Sequence, residues 1–126
     1  MTALATTLTA LLVLGQSNPF AATRYENPIL SKQKEKEELI TKLRRDIFKV
    51  DRSIGETDKL IAKSRNAPYL PDLQFRLAEL YGEKSRYVYY LQAETRPEGA
   101  KGAMVSPETK LLKQKATQIY YRVLRE

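Results

Sequence analysis

Between Ser31 and Ser64 the apolar side chains keep a seven-residue register. Ile40, Ile47, Ile54 and Ile61 form one row, and Leu43, Val50 and Thr57 fall between them as a second. A double row of this kind predicts a long amphipathic helix whose narrow seam lies along another helix. The opening, Ser31 to Glu38, is almost wholly polar, with Glu35 and Glu38 spaced to pair with lysines, which predicts a solvated helical end. Gly55 beside the seam weakens the helix by about 1 kcal/mol relative to Ala and leaves room for a close neighbour. Pro68 ends the helix near Asn66-Ala67, because the residue before proline avoids the helical region and proline lacks the amide donor. Pro71-Asp72 opens a second helix, on which Leu73, Leu77, Leu80, Tyr81, Tyr87, Val88 and Leu91 share a face that Phe75, Ala78 and Tyr89 widen. So broad an apolar surface predicts cover on more than one side. Thr95 to Val105, with its proline and glycines, predicts an exposed loop. Ser106-Pro107-Glu108 then has the form of a helix start, with a Ser cap, Pro at the first position and an acid in the first turn. Leu111, Leu112, Ala116, Ile119, Tyr120, Val123 and Leu124 carry that third helix to the last residue with no stop signal. The expected fold is all-α: a long heptad-patterned helix followed by an antiparallel helix pair with a loop insertion. Its unfinished end predicts a helical domain over residues 39–126 that belongs to a longer polypeptide.

Composition narrows the chemistry. The chain has 126 residues with no Cys, His or Trp, so disulfides, thiolate or imidazole metal ligands and His-dependent catalysis are excluded by inventory. The remaining carboxylates, such as Glu35, Glu37, Glu38, Glu79 and Glu83, fall on charged helical faces, and no Ser or Lys has a recognisable activating partner. Lys101, set between Gly99-Ala100 and Gly102, fits no phosphate-binding fingerprint. The expectation is a protein that is not an enzyme and takes no cofactor or metal. Residues 1–22 are uncharged, and their apolar run from Ala3 to Leu14 followed by small residues resembles an export signal without its usual basic start. That run is too short and too broken by Thr to predict a transmembrane span. Removal after Gly15, Ser17 or Ala22 would leave a polar lead-in over residues 23–38 and a periplasmic or otherwise exported product of the cell envelope.

The run Leu77-Ala78-Glu79-Leu80-Tyr81, followed by Ser85-Arg86-Tyr87, resembles the first helix and turn of a tetratricopeptide repeat. Leu77, Ala78, Tyr81 and Tyr87 match the large, small and two aromatic positions of that motif, and Ala116 and Tyr120 match its second helix. Gln74 stands where the family carries an aromatic, Val123 replaces a small residue, the first helix runs past the motif's turn to Leu91, and a loop of about a dozen residues separates the two helices. The longer string from Leu43-Arg44-Arg45-Asp46 through Ala67-Pro68-Tyr69-Leu70-Pro71-Asp72 to Tyr87 is similar to the N-terminal region of exported tetratricopeptide-repeat proteins of deltaproteobacteria and myxobacteria. The resemblance implies a capping helix plus a first, atypical repeat, and a helical scaffold that binds protein partners in the cell envelope.

Arg86, Tyr89, Tyr90 and Gln92, with Arg44, Arg45 and Arg52 on the first helix, are the side chains that packing leaves unclaimed and that a partner would meet. Tyr81 and Tyr87 are expected in the core or at the turn, and Tyr89 and Tyr90, being adjacent, cannot both face inward. The alternative is a self-associating coiled coil through Ile40, Ile47, Ile54 and Ile61, although the helix beginning at Pro71 offers that row a seat within the chain. A third reading, binding to nucleic acid, is prompted by a formal charge of +7. It is disfavoured because the cations alternate with acids and no nucleic-acid-binding signature is present.

Overall fold

A computed structural model of the protein describes residues 27–100, 102 and 105–125. The expected export signal over residues 1–22 lies outside the described residues. Among the described residues the structure is all-helical and contains no strand: α1 is Pro28–Lys63, α2 is Leu70–Thr95 and α3 is Pro107–Arg125. The chain divides into two compact units, Met1–Gln33 and Lys34–Glu126. Of the first, the described part is the opening of α1. Asn27 caps it, its Oδ1 accepting a hydrogen bond from the Ile29 amide at 3.0 Å, and Pro28 takes the first helical position. The helix therefore starts three residues before the Ser31 that the polar pattern suggested.

In the second unit, α1 stops where the pre-proline restriction requires. Overlapping turns carry the chain from Ser64, whose amide donates to the Ile61 carbonyl, through Ala67 to Leu70. Pro71 sits in the first turn of α2, and Tyr69 precedes that turn without a side-chain capping bond. Ser106 caps α3, its Oγ accepting from the Thr109 amide at 3.1 Å. Glu108 in the first turn and Arg122 and Arg125 in the last complement the helix dipole.

The helices run antiparallel in succession. Lys84 on α2 pairs with Asp51 on α1 at 2.6 Å, while Tyr87 senses the charge of Asp46 and Tyr81 that of Asp58. On the other side, Gln92 near the end of α2 meets Glu108 at the start of α3, and Phe75 near its start meets Tyr120. Val50, Ile54, Leu77 and Leu80 form the core, with Ile61, Tyr81, Tyr87 and Ile119 packed against it. Thus α2 is the element covered on two sides, as its broad apolar face required. The two flanks differ in chemistry. Toward α1 it presents Leu77 and Leu80, while its groove with α3 is lined by the buried small side chains Ala78, Ser85 and Ala116, with Phe75 meeting Tyr120 beside them. Small side chains let two helix backbones approach closely.

Along α1, Leu43, Val50, Ile54 and Thr57 are buried, whereas Ile40, Ile47 and Ile61 are only half-buried. Gly55 is exposed, and a methyl group added there would meet nothing within 4 Å, so no neighbour in the chain uses the room it leaves. The loop after α2 is held from within: Arg96 Nη2 donates to the carbonyls of Ala100 at 3.0 Å and Gly102 at 3.1 Å. Gly99 and Gly102 both take positive φ there, a conformation with little penalty only for glycine.

Candidate protein-binding surface

The repeat-motif residues fall where helices meet. Leu77, Ala78 and Ala116 are buried and Tyr81, Tyr87 and Tyr120 are half-buried. α2 continues unbroken through Ser85-Arg86-Tyr87 to Thr95, past the turn of the repeat motif, as the apolar face running on to Leu91 predicts. Gly82 is the weakest helix former there, and its cost of about 1 kcal/mol is too small to end a helix packed on both sides. Ser85 Oγ donates to the Gly82 carbonyl at 2.7 Å, so its hydroxyl is satisfied within the helix.

The two half-buried tyrosines are tied differently. Lys115 Nζ lies 5.4 Å from the centre of the Tyr81 ring, a cation–π distance. Burial, then the nearby charge of Asp58, pushes the Tyr81 hydroxyl pKa up. The Tyr87 hydroxyl donates to Glu83 Oε1 at 2.8 Å, and that bond, which favours the protonated phenol, is the main cause of its raised pKa.

Of the partner-facing candidates, Arg86 and Tyr90 are exposed and Tyr89 and Gln92 half-buried, all on the second half of α2. Tyr89 and Tyr90 stack edge-on with ring centres 5.6 Å apart, and Tyr90 is 53% exposed. Gln92 is partly claimed, since its Nε2 reaches Glu108 at 3.4 Å while its Oε1 is buried without a partner. Arg44, Arg45 and Arg52 are all exposed on α1, where Arg52 approaches Glu56 of its own helix at 3.6 Å. Helical spacing sets Arg45 and Arg52 on one face. The structure joins Arg86, Tyr89 and Tyr90 into one surface on α2 and leaves the three arginines of α1 as a separate one.

Beside the α2 surface runs a groove between α2 and α3. Ala78, Gly82, Ser85 and Ala116 form its floor, with Arg76, Glu79, Glu83, Arg86, Lys113 and Tyr120 along its rims. Arg76 meets Glu79 at 3.4 Å and Glu83 accepts from Tyr87, whereas Arg86 and Lys113 form no ion pair among the described residues. Sequence reasoning found Arg86 and Ala78 but missed the groove, because Gly82 and Ser85 carry no hydrophobic signal. The signal present in the sequence was the small-residue spacing from Ala78 through Gly82 to Ser85.

Among the described residues no group of three or more Asp and Glu side chains is placed to hold a metal ion. No described helix is long and apolar enough to cross a membrane. No family model, no curated protein and no solved structure matches the chain.

Proposed function

We propose that this chain is a non-enzymatic helical scaffold or adaptor that binds a protein partner in the cell envelope. The observation that carries the reading is the surface on α2 where Arg86, without an ion pair among the described residues, stands near the edge-stacked Tyr89 and Tyr90. Arg and Tyr supply large contact area and directed hydrogen bonds at modest entropic cost, which is why such residues dominate the energetics of protein interfaces. A rigid helix presenting them between two packed neighbours keeps that cost low. The apolar, uncharged residues 1–22 support placement in the envelope by their export-signal pattern. The likeness of Leu77, Ala78, Tyr81, Tyr87, Ala116 and Tyr120 to a tetratricopeptide repeat supports a role in presenting a binding surface.

The test is affinity capture of envelope extract on the immobilised chain, followed by titration with the purified partner. Tyr90→Ala and Arg86→Ala are each expected to weaken that binding about tenfold without changing the melting temperature. A partner bound equally well by both variants, or a chain that retains none, refutes the reading.

A further inference from the structure

α2 carries a second pattern, which starts where Phe75 meets Tyr120 of α3 and passes along the groove between the two helices through Glu79, Gly82 and Arg86. Phe75, Glu79, Gly82, Arg86, Tyr89 and Ala93 follow one another at alternating steps of four and three residues, the spacing of a helix-pairing stripe. The stripe spans about 27 Å at about 1.5 Å per residue. Phe75, Glu79, Arg86 and Ala93 are exposed and Gly82 and Tyr89 half-buried. Its order is symmetric about Gly82. Phe75 and Tyr89 stand equidistant from that glycine, with an acid one turn before it and a base one turn after.

An antiparallel copy of the same helix, crossing at Gly82, sets Phe75 against the second copy's Tyr89 and Glu79 against its Arg86, each contact made twice by the two-fold axis. Gly82 is otherwise unexplained. It costs α2 about 1 kcal/mol of helix propensity, yet a methyl group there would meet nothing within 4 Å, so no neighbour among the described residues requires its absence. A helix backbone arriving from a second copy would require it. α1 supplies the contrast. Its exposed stripe Phe48, Arg52, Gly55, Lys59 and Ala62 has the same spacing around an equally open glycine. There the flanking charges are both positive, so a second copy at Gly55 would oppose like charges twice.

We propose that the protein pairs with a second copy of itself through the Phe75–Ala93 stripe of α2, antiparallel and centred on Gly82. The inference rests on the reading of the chain as a protein-binding module; because Arg86 and Tyr89 belong to both contacts, a second copy and an envelope partner compete for them.

Sedimentation of the unmodified chain is expected to show a concentration-dependent dimer. A side chain at Gly82 blocks the approach of a second helix backbone, so Gly82→Leu is expected to weaken that dimer at least tenfold, whereas Gly55→Leu leaves it unchanged. Glu79→Arg or Arg86→Glu should weaken it at least tenfold, and the double reversal should restore it. A wild-type chain that stays monomeric at about 200 µM, equal dimerisation of the two glycine variants, or a double reversal no better than either single change overturns the proposal. A monomer that still binds an envelope protein through Tyr90 removes the self-pairing and leaves the adaptor reading standing. A dimer that captures no other protein does the reverse.

Discussion

Leu80 and Leu111 allow one substitution to be tested twice in the same molecule. Leu80 is 1% exposed in the core shared with Val50, Ile54 and Leu77, whereas Leu111 is 54% exposed on the outer side of α3. At Leu80, truncation to Ala removes three carbons from a buried site, a transfer loss of about 2.4 kcal/mol at about 0.8 kcal/mol per carbon. The cavity adds to that in proportion to how little the three helices collapse, giving a total of about 3–4 kcal/mol. A small domain has about 5–15 kcal/mol in all, so Leu80→Ala consumes a large part of it and lowers the melting temperature by more than 10 °C, on the order of 4–8 °C per kcal/mol. At Leu111 the same change removes exposed carbons and substitutes a better helix former, so the expected cost is within about 0.5 kcal/mol of zero. Urea unfolding followed by circular dichroism at low protein concentration measures both, with an unchanged urea dependence confirming that only stability moved. Equal losses at the two positions would refute the packing described here, because they would mean that the outer face of α3 is as covered as the core.

Gln74 has a buried Oε1 without a hydrogen-bond partner, and Gln74→Met is expected to raise stability by about 1 kcal/mol, measured in the same assay. Ser106→Ala removes the acceptor for the Thr109 amide at the start of α3 and should cost about 1 kcal/mol, with amide exchange quickening in the first turn of that helix. Tyr87 should ionise at higher pH than a free tyrosine in an ultraviolet titration, and Glu83→Gln should bring it back toward the ordinary value. The sign follows from linkage: the folded state holds the phenolic proton more tightly, so this contribution to stability is full below the unfolded tyrosine pKa and is lost as pH rises through the higher folded one. A Tyr87 that titrates earlier than free tyrosine would contradict the Glu83 hydrogen bond.

The helices were legible because their signals are local. Pro68 and Pro71 bound the first turn, and Ser106-Pro107 opens α3, through backbone chemistry that no tertiary contact needs to reinforce. The start of α1 was set too late because the polar stretch Ser31 to Glu38 interrupts the apolar periodicity; the signal was Asn27-Pro28, a capping pair ahead of it. The continuation of α2 past Ser85-Arg86, where the repeat motif places a turn, was legible in the apolar face that runs on to Leu91. The candidate surface divided in the same way, since Arg86 and Tyr90 stand out as polar and aromatic residues off the buried face. Their neighbour Gly82 carries no such signal, and the groove it lines with Ala78 exists only once α3 is set beside α2.

The burial of individual isoleucines bears directly on which helix is free to associate. The coiled-coil alternative placed self-association on Ile40, Ile47, Ile54 and Ile61, yet Ile54 is in the core with Leu77 and Leu80, and Ile61 packs against it. Exposing those two residues to a second chain would forfeit burial worth about 1.5–3 kcal/mol for each fully buried side chain. A partner would have to repay that before any net affinity appeared. The stripe of α2 asks for less, because Glu79 and Arg86 are exposed, Gly82 has no described neighbour to displace, and only the Arg76–Glu79 pair and the Phe75–Tyr120 contact would have to adjust. Association at α2 adds contacts to a core left intact, whereas association at the isoleucine row must first dismantle part of one. The free-energy balance therefore favours α2 even though the isoleucine row has the stronger hydrophobic periodicity.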